Sequence, residues 1–139
     1  MNYDELAQEE IKAIEALRDA RMYRHAVYHC CMAIEYMLKI KLVQIDPTSE
    51  FLEGHDIINI FRAVQAKFTP SHDLISVVRF CRKYFNEARY PSSGTAVYTK
   101  EFAEQFVQYV DDVKYYVDHE CMVTVEDLVE RFKKTTEER

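Results

Sequence analysis

Glycine and proline are scarce in this chain. It contains two glycines and three prolines among 139 residues. An all-β or α/β fold of this length would need many more tight turns than these residues can supply. All five lie between segments whose apolar residues recur with helical spacing, so the pattern predicts long helices joined at a few places. The five are Pro47, Gly54, Pro70, Pro91 and Gly94.

The chain also lacks the signs of a disulfide framework and of a membrane segment. Its four cysteines form no C-x-x-C pair, and Cys30 and Cys31 are adjacent on one predicted helix. We therefore expect free, buried thiols in a reducing compartment. No apolar run approaches the roughly 20 residues that cross a bilayer, and the acidic start MNYDELAQEE is unlike a targeting peptide. These absences predict a cytoplasmic protein with no membrane contact.

Motifs for common catalytic and cofactor chemistry are missing as well. The sequence has no glycine-rich phosphate loop, no Ser-His-Asp spacing and no paired-carboxylate signature. His25 and His29 are four residues apart, which suits two metal ligands on one helical face. A tetrahedral site would have to be completed by Cys30, His119 or Cys121. Because no further ligand has a fixed spacing, we predict neither a metal nor a cofactor.

The charge balance is acidic. Asp and Glu number 24 against 18 Lys and Arg, which gives a formal net charge of −6. Such a molecule has no overall attraction to a polyanion. We expect no strong DNA binding, and any contact with a nucleotide must come from a local basic patch.

Between the breaks, apolar side chains return every three to four residues, the spacing of amphipathic helices. This pattern and the length predict one all-α domain over residues 1–139, with residues 135–139 disordered. The expected architecture is an up-and-down antiparallel bundle of four to five helices with a short extra C-terminal helix. The first predicted helix begins at Asn2 or Asp4, the second covers residues 22–44, and the third begins at His55 or Asp56. The fourth covers residues 71–88, the fifth begins after Thr99, and the last covers residues 125–135.

Three short motifs occur in order along this chain. They are A-x-E-x-x-L-K from Ala33 to Lys39, then His55-Asp56, then Arg89-Tyr90-Pro91. Their order and spacing in an all-helical chain resemble the HEPN domain, the "higher eukaryotes and prokaryotes nucleotide-binding" family, over roughly residues 6–121. The resemblance implies a bundle of four or five helices and frequent dimerisation. In bacteria and archaea it also implies frequent pairing with a small nucleotidyltransferase in systems of toxin–antitoxin type.

The basic residues near these motifs indicate a phosphate pocket. Lys39, with Arg82 and Arg89, would form a small cationic site in which guanidinium groups bind two phosphate oxygens at once. Glu35 precedes Lys39 by four residues, so a solvated surface ion pair is the alternative interpretation of these two residues. His55 lies at a predicted helix start, where unpaired N–H groups favour anions, although a capping role is equally consistent with the pattern.

The turn after the fourth helix adds an aromatic side chain to this set. The residue before a proline is pushed out of the helical region, so Arg89 and Tyr90 are delivered at the end of the bundle. Tyr90 offers a face on which a base can stack. A tyrosine at this position that only covers the core is the competing interpretation.

Many HEPN proteins are ribonucleases with an R-x4–6-H motif. Arg24 and His29 match it, as do Arg18 and His25, but the composition predicts about one such match by chance. Both matches lie around the start of the second helix, whereas the family's motif lies near residues 85–91, which contain no histidine. A metal-independent ribonuclease that uses Arg24 and His29 across a dimer is therefore the alternative and not the preferred hypothesis.

The preferred hypothesis is a non-catalytic, HEPN-like module that binds a nucleotide or a nucleotide-bearing partner. We expect it to work as a homodimer beside a small nucleotidyltransferase in a pair of toxin–antitoxin type. A purely structural, dimeric interaction scaffold is a further alternative. The homodimer would cover aromatic side chains that cannot all be central in one bundle, namely Tyr3, Tyr23, Tyr28, Tyr36, Tyr109, Tyr115 and Phe132.

Overall fold

The computed structural model describes residues 2–92 and 94–137. Over these ranges the protein has six α-helices and no β-strand, and neighbouring helices pack antiparallel, so the predicted fold class is confirmed. A 3₁₀ turn at Glu50–Leu52 precedes the third helix, and a π-helical turn at Tyr116–Glu120 extends the fifth. The helices are α1 (Tyr3–Asp19), α2 (Tyr23–Ile45), α3 (Ile57–Lys67), α4 (Ile75–Arg89), α5 (Lys100–Tyr115) and α6 (Val125–Glu137).

Side-chain caps explain where most helices begin. Asn2 accepts a hydrogen bond from the Glu5 N–H at 3.1 Å and caps α1, and Thr99 accepts one from the Phe102 N–H at 3.2 Å and caps α5. Asp56 caps α3 through the Asn59 N–H at 3.3 Å. Each oxygen satisfies an N–H group that has no partner within its helix. These caps are among those that the sequence predicts.

The start of α4 differs from the prediction. The helix begins at Ile75 and not near Ser71, because the Ser71 N–H donates to a Glu120 carboxylate oxygen at 3.0 Å. The side chain of Asp73 instead accepts from the Ile75 N–H at 3.0 Å. The predicted start of this helix at residue 71 is therefore wrong, since Glu120 holds the Ser71 backbone in the preceding loop.

The C-terminal helix is longer than predicted. It continues to Glu137, and the disorder of residues 135–139 stays a prediction. No glycine or proline lies between Val125 and Arg139 to stop the helix. Glu138 and Arg139 lie outside the described residues. No helix of the described chain is long and apolar enough to cross a membrane.

Helix α2 forms the centre of the bundle. It contacts α1, α3, α4 and α5, so side chains on nearly all of its faces are buried. Small residues such as Ala26, Cys30 and Ala33 are fully buried and let the neighbouring helices approach closely. This position also buries two charged residues of α2, Glu35 and Lys39.

The bundle covers most of the aromatic residues that suggested a dimer. Tyr23, Tyr28, Tyr36 and Tyr109 are partly buried and pack against the core. Tyr3 lies over Tyr36, with ring centroids 6.2 Å apart. The large apolar side chains that remain exposed lie mostly on or near α6, and they include Tyr115, Met122, Val125, Leu128, Val129 and Phe132. Fewer aromatic side chains therefore need a partner to cover them than the sequence indicates, and the homodimer stays a prediction.

Candidate functional site

A cavity of about 450 Å³ lies where α2, α4 and the start of α3 meet. Four of the six residues proposed as a ligand site line it, namely Glu35, His55, Arg82 and Arg89. The remaining lining residues are Cys31, Ile57, Cys81, Phe85 and Asn86. The cavity therefore brings together side chains from three separate segments of the chain.

Helical spacing explains the wall that α4 supplies. Arg82, Phe85, Asn86 and Arg89 follow one another at intervals of three, one and three residues, which places them along one face of the helix. They extend over two turns, from the middle of α4 to its last residue. This face presents two guanidinium groups and one aromatic ring to the same space.

A buried ion pair lies beneath the cavity, and its acidic member, Glu35, lines the floor. The side chains of Glu35 and Lys39 are 2% and 5% exposed, and Glu35 Oε2 is 3.3 Å from Lys39 Nζ. Lys39 Nζ also donates to the Gly54 carbonyl at 2.7 Å. Gly54 has a φ of 119°, a conformation that other residues rarely adopt. The glycine thus allows the loop before α3 to bring its carbonyl to the lysine.

This geometry corrects two predictions about Glu35 and Lys39. They are not a solvated surface pair, because α2 is covered on the side that carries them. Lys39 is also not placed to bind a phosphate in the cavity, since it does not line the cavity and its ammonium group contacts Glu35 and Gly54. Helical spacing predicts that the two side chains meet, but it does not show what packs over them.

His55 connects the ion pair to the cavity. Its Nδ1 is 2.8 Å from Glu35 Oε2, and its ring is 5.0 Å from the Phe85 ring between centroids. An ionised carboxylate only accepts hydrogen bonds, so the His55 proton on this contact lies on Nδ1. Its side chain is 53% exposed, which leaves the other ring nitrogen available to a ligand. Asp56, and not His55, caps α3.

Arg82 and Arg89 form the cationic rim. Both are exposed, and among the described residues no carboxylate lies within ion-pair distance of either group. Arg89 lies over two aromatic rings, with its Cζ 5.4 Å from the Tyr28 centroid and 5.3 Å from the Tyr90 centroid. Cation–π contacts of this kind orient a guanidinium without neutralising its charge.

Tyr90 lies outside the cavity lining. It is 71% exposed, so the interpretation that it covers the core is wrong. Its hydroxyl accepts a hydrogen bond from Arg89 Nη2 at 3.4 Å. The tyrosine thus contacts the rim through Arg89, and its role in base stacking stays a prediction.

One basic residue near the site, Arg62, was not predicted from the sequence. Arg62 of α3 lines a shallow depression that also includes His55 and Arg82. Arg62 lies on α3, seven residues after His55, which precedes the helix. This position in the sequence was the only sign that Arg62 could lie near His55. The packing of α3 beside α4 is what brings Arg62 close to Arg82.

Comparison with known proteins identifies the family. The model of the HEPN domain matches residues 5–120, which is well over half of the chain. The protein belongs to the HEPN domain family. The matched range contains every residue that lines the cavity and ends before α6. No curated protein and no solved structure matches the chain.

HEPN domains are often paired with nucleotidyltransferases or act as ribonucleases. Arg24 Nη1 donates to the Ala88 carbonyl at 2.6 Å, at the end of α4. His29 Nδ1 instead bonds to Glu10 on α1. Arg18, from the second motif match, pairs with Glu104 at 2.7 Å. These contacts give Arg24 and His29 separate structural partners on different helices.

The possible metal ligands of this HEPN domain also have other contacts. His25 Nε2 is 3.2 Å from Arg24 Nη2, and His29 contacts Glu10. Over the described part of the chain, no group of three or more His, Cys, Asp or Glu side chains could hold a metal ion.

The cysteines at the cavity floor are suited to a structural role. All four cysteines are free and buried, as expected. A hydrogen bond with Cys81 and burial both raise the pKa of the Cys31 thiol. Because the thiolate is the reactive form, the raised pKa makes the Cys31 thiol a poor nucleophile.

The buried pair gives a first testable prediction. Replacing Lys39 with Met leaves Glu35 buried without its countercharge, and we expect the free energy of unfolding to fall by about 3 kcal/mol or more. Urea denaturation followed by circular dichroism measures the change. The control Lys12→Met removes an exposed lysine of α1 and should alter the free energy of unfolding by less than about 0.5 kcal/mol.

The double variant Glu35→Gln/Lys39→Met removes both charges and should recover part of the lost stability, because no unpaired charge remains buried. Equal unfolding midpoints for Lys39→Met and Lys12→Met would contradict the buried pair.

Proposed function

We propose that this HEPN protein binds a nucleotide, or a nucleotide carried by a partner protein, at the cavity between α2, α3 and α4. The observation that carries the proposal is the convergence of His55, Arg82 and Arg89 on one cavity in a protein of net charge −6. A local cationic site of this kind attracts an anion that the rest of the surface repels.

The pairing of charges in the site favours an anionic ligand. Lys39 balances the charge of Glu35, so the acid at the cavity floor does not cancel the charge of the rim. Arg82 and Arg89 therefore keep their positive charge for a ligand. Guanidinium groups match the geometry of phosphate oxygens and bind them through paired hydrogen bonds.

The shape of the site supports a small ligand. A volume of about 450 Å³ falls within the range of about 300–1,000 Å³ that is usual for small-molecule sites. The ring of Phe85 supplies an apolar wall beside the charged rim. A nucleotide combines the two chemistries, since its phosphate is anionic and its base is flat and weakly polar.

Binding is tested with adenosine monophosphate by isothermal titration calorimetry. A lost hydrogen bond to a charged group costs about 1.5–3 kcal/mol, so Arg82→Ala and Arg89→Ala should each weaken binding by about 10- to 100-fold. Lys83→Ala is the control, because it removes one positive charge from α4 outside the cavity. Its affinity should stay within about twofold of the wild type.

Absence of nucleotide binding by the wild type, or equal losses in all three variants, would contradict the proposed site. The proposal also holds that the protein is not a nuclease. RNA cleavage that disappears in Arg24→Ala or His29→Ala would replace it with the ribonuclease hypothesis.

The proposal includes protein partners. HEPN domains are typically dimeric or partnered, and we propose a homodimer that associates with a small nucleotidyltransferase in a pair of toxin–antitoxin type. The exposed arginines at the rim of the cavity are accessible to a nucleotide that such an enzyme carries.

Sedimentation measurements test this arrangement. At micromolar concentration the protein alone should sediment at twice the mass of the chain. Mixing it with a nucleotidyltransferase encoded by an adjacent gene should produce a heavier species that contains both proteins. A protein that stays monomeric alone and in the mixture would contradict both parts.

A further inference from the structure

We infer that the cavity binds a mononucleotide whose base carries an amino group, and that Glu35 Oε1 accepts a hydrogen bond from this amino group. The inference rests on the proposed nucleotide site and adds which end of the ligand enters the cavity and which bases fit there. The base would lie at the floor of the cavity, whereas the phosphate would lie at the rim.

The cavity separates charge from apolar surface. Arg82 and Arg89 are exposed at its rim, whereas Cys31, Ile57 and Cys81 are buried at its floor. A phosphate would lose its hydration at the floor without gaining a positive charge, since Lys39 does not line the cavity. The phosphate therefore belongs at the rim and the base at the floor.

Glu35 leaves one acceptor atom for the ligand. Its Oε2 receives the contacts of His55 at 2.8 Å and Lys39 at 3.3 Å. Among the described residues no hydrogen bond reaches Oε1. This atom is also not completely shielded from its surroundings. Glu35 lines the cavity, so Oε1 is the carboxylate oxygen left to accept a hydrogen bond from a ligand there.

An ionised carboxylate oxygen selects a hydrogen-bond donor. Adenine, cytosine and guanine each carry an exocyclic amino group that can donate to it. Uracil has a carbonyl oxygen where cytosine has its amino group, and this oxygen would face the carboxylate without a hydrogen bond. Cytidine and uridine monophosphates differ at this position and have nearly the same size, so they isolate the effect of Glu35.

The aromatic wall favours a base over a sugar at this place. Phe85 lines the cavity and lies against both His55 and Tyr28, with ring centroids 5.0 and 5.4 Å apart. Flat bases pack on aromatic side chains whatever their sequence identity. A base held in this way presents its edge, and with it the amino group, to the acidic floor.

Calorimetry with the wild-type protein tests the inference directly. An acceptor left unpaired in a buried site costs about 1–3 kcal/mol, so cytidine monophosphate should bind about tenfold or more tightly than uridine monophosphate. Adenosine monophosphate should bind like the cytidine ligand. Ribose 5-phosphate, which has no base, should bind more weakly than the cytidine ligand because it lacks both the stacking contact and the amino group.

The outcomes separate this inference from the proposed function. If the cytidine and uridine ligands bind equally and Arg82→Ala weakens both, the phosphate site stands and base recognition by Glu35 is wrong. If no nucleotide binds to the wild type, the proposed function itself fails.

A variant assigns the preference to Glu35. Glu35→Gln alone would leave Lys39 buried without its countercharge, so the double variant Glu35→Gln/Lys39→Met is used, with folding checked by circular dichroism. A glutamine amide can donate to a carbonyl, so the ratio of cytidine to uridine affinity should fall to about one or below. The control Glu53→Gln changes an exposed acid near the same loop and should leave the ratio unchanged. A folded double variant that keeps the tenfold preference would overturn the role of Glu35.

Discussion

The buried contact between Glu35 and Lys39 determines how the site is built. A charge in the interior is costly unless it is paired and hydrogen-bonded, and these two side chains meet that condition only together with the Gly54 carbonyl and His55. The pair therefore fixes the loop before α3 against α2. This connection places His55 at the mouth of the cavity.

Because of the same contact, the negative charge of Glu35 and the positive charges of the rim do not neutralise each other. Lys39 balances Glu35 below the cavity, while Arg82 and Arg89 keep their charge at its rim because no carboxylate of the described chain pairs with them. An acidic protein can thus hold a cationic site next to a carboxylate without the two cancelling. The resulting cavity has a positive edge, an aromatic wall and one acidic acceptor at its floor.

The helical architecture follows from local rules, whereas the site depends on long-range packing. Rare glycines and prolines mark the loops, and capping side chains mark most helix starts, so these features could be predicted residue by residue. The start of α4 could not, since it depends on Glu120, which lies 49 residues from Ser71. The motifs drew attention to Lys39, but its position beneath the cavity depends on how α3 packs. Arg62 was missed for the same reason, because no motif links it to α4.

The central claim is that a nucleotide occupies the cavity beside Glu35. Amide chemical shifts of isotopically labelled protein, recorded with and without saturating adenosine monophosphate, test it most directly. The account predicts that the largest changes fall in residues 31–35, 55–57 and 82–89, which surround the cavity. Largest changes in the acidic depression around residues 108–120, or no changes at all, would contradict it.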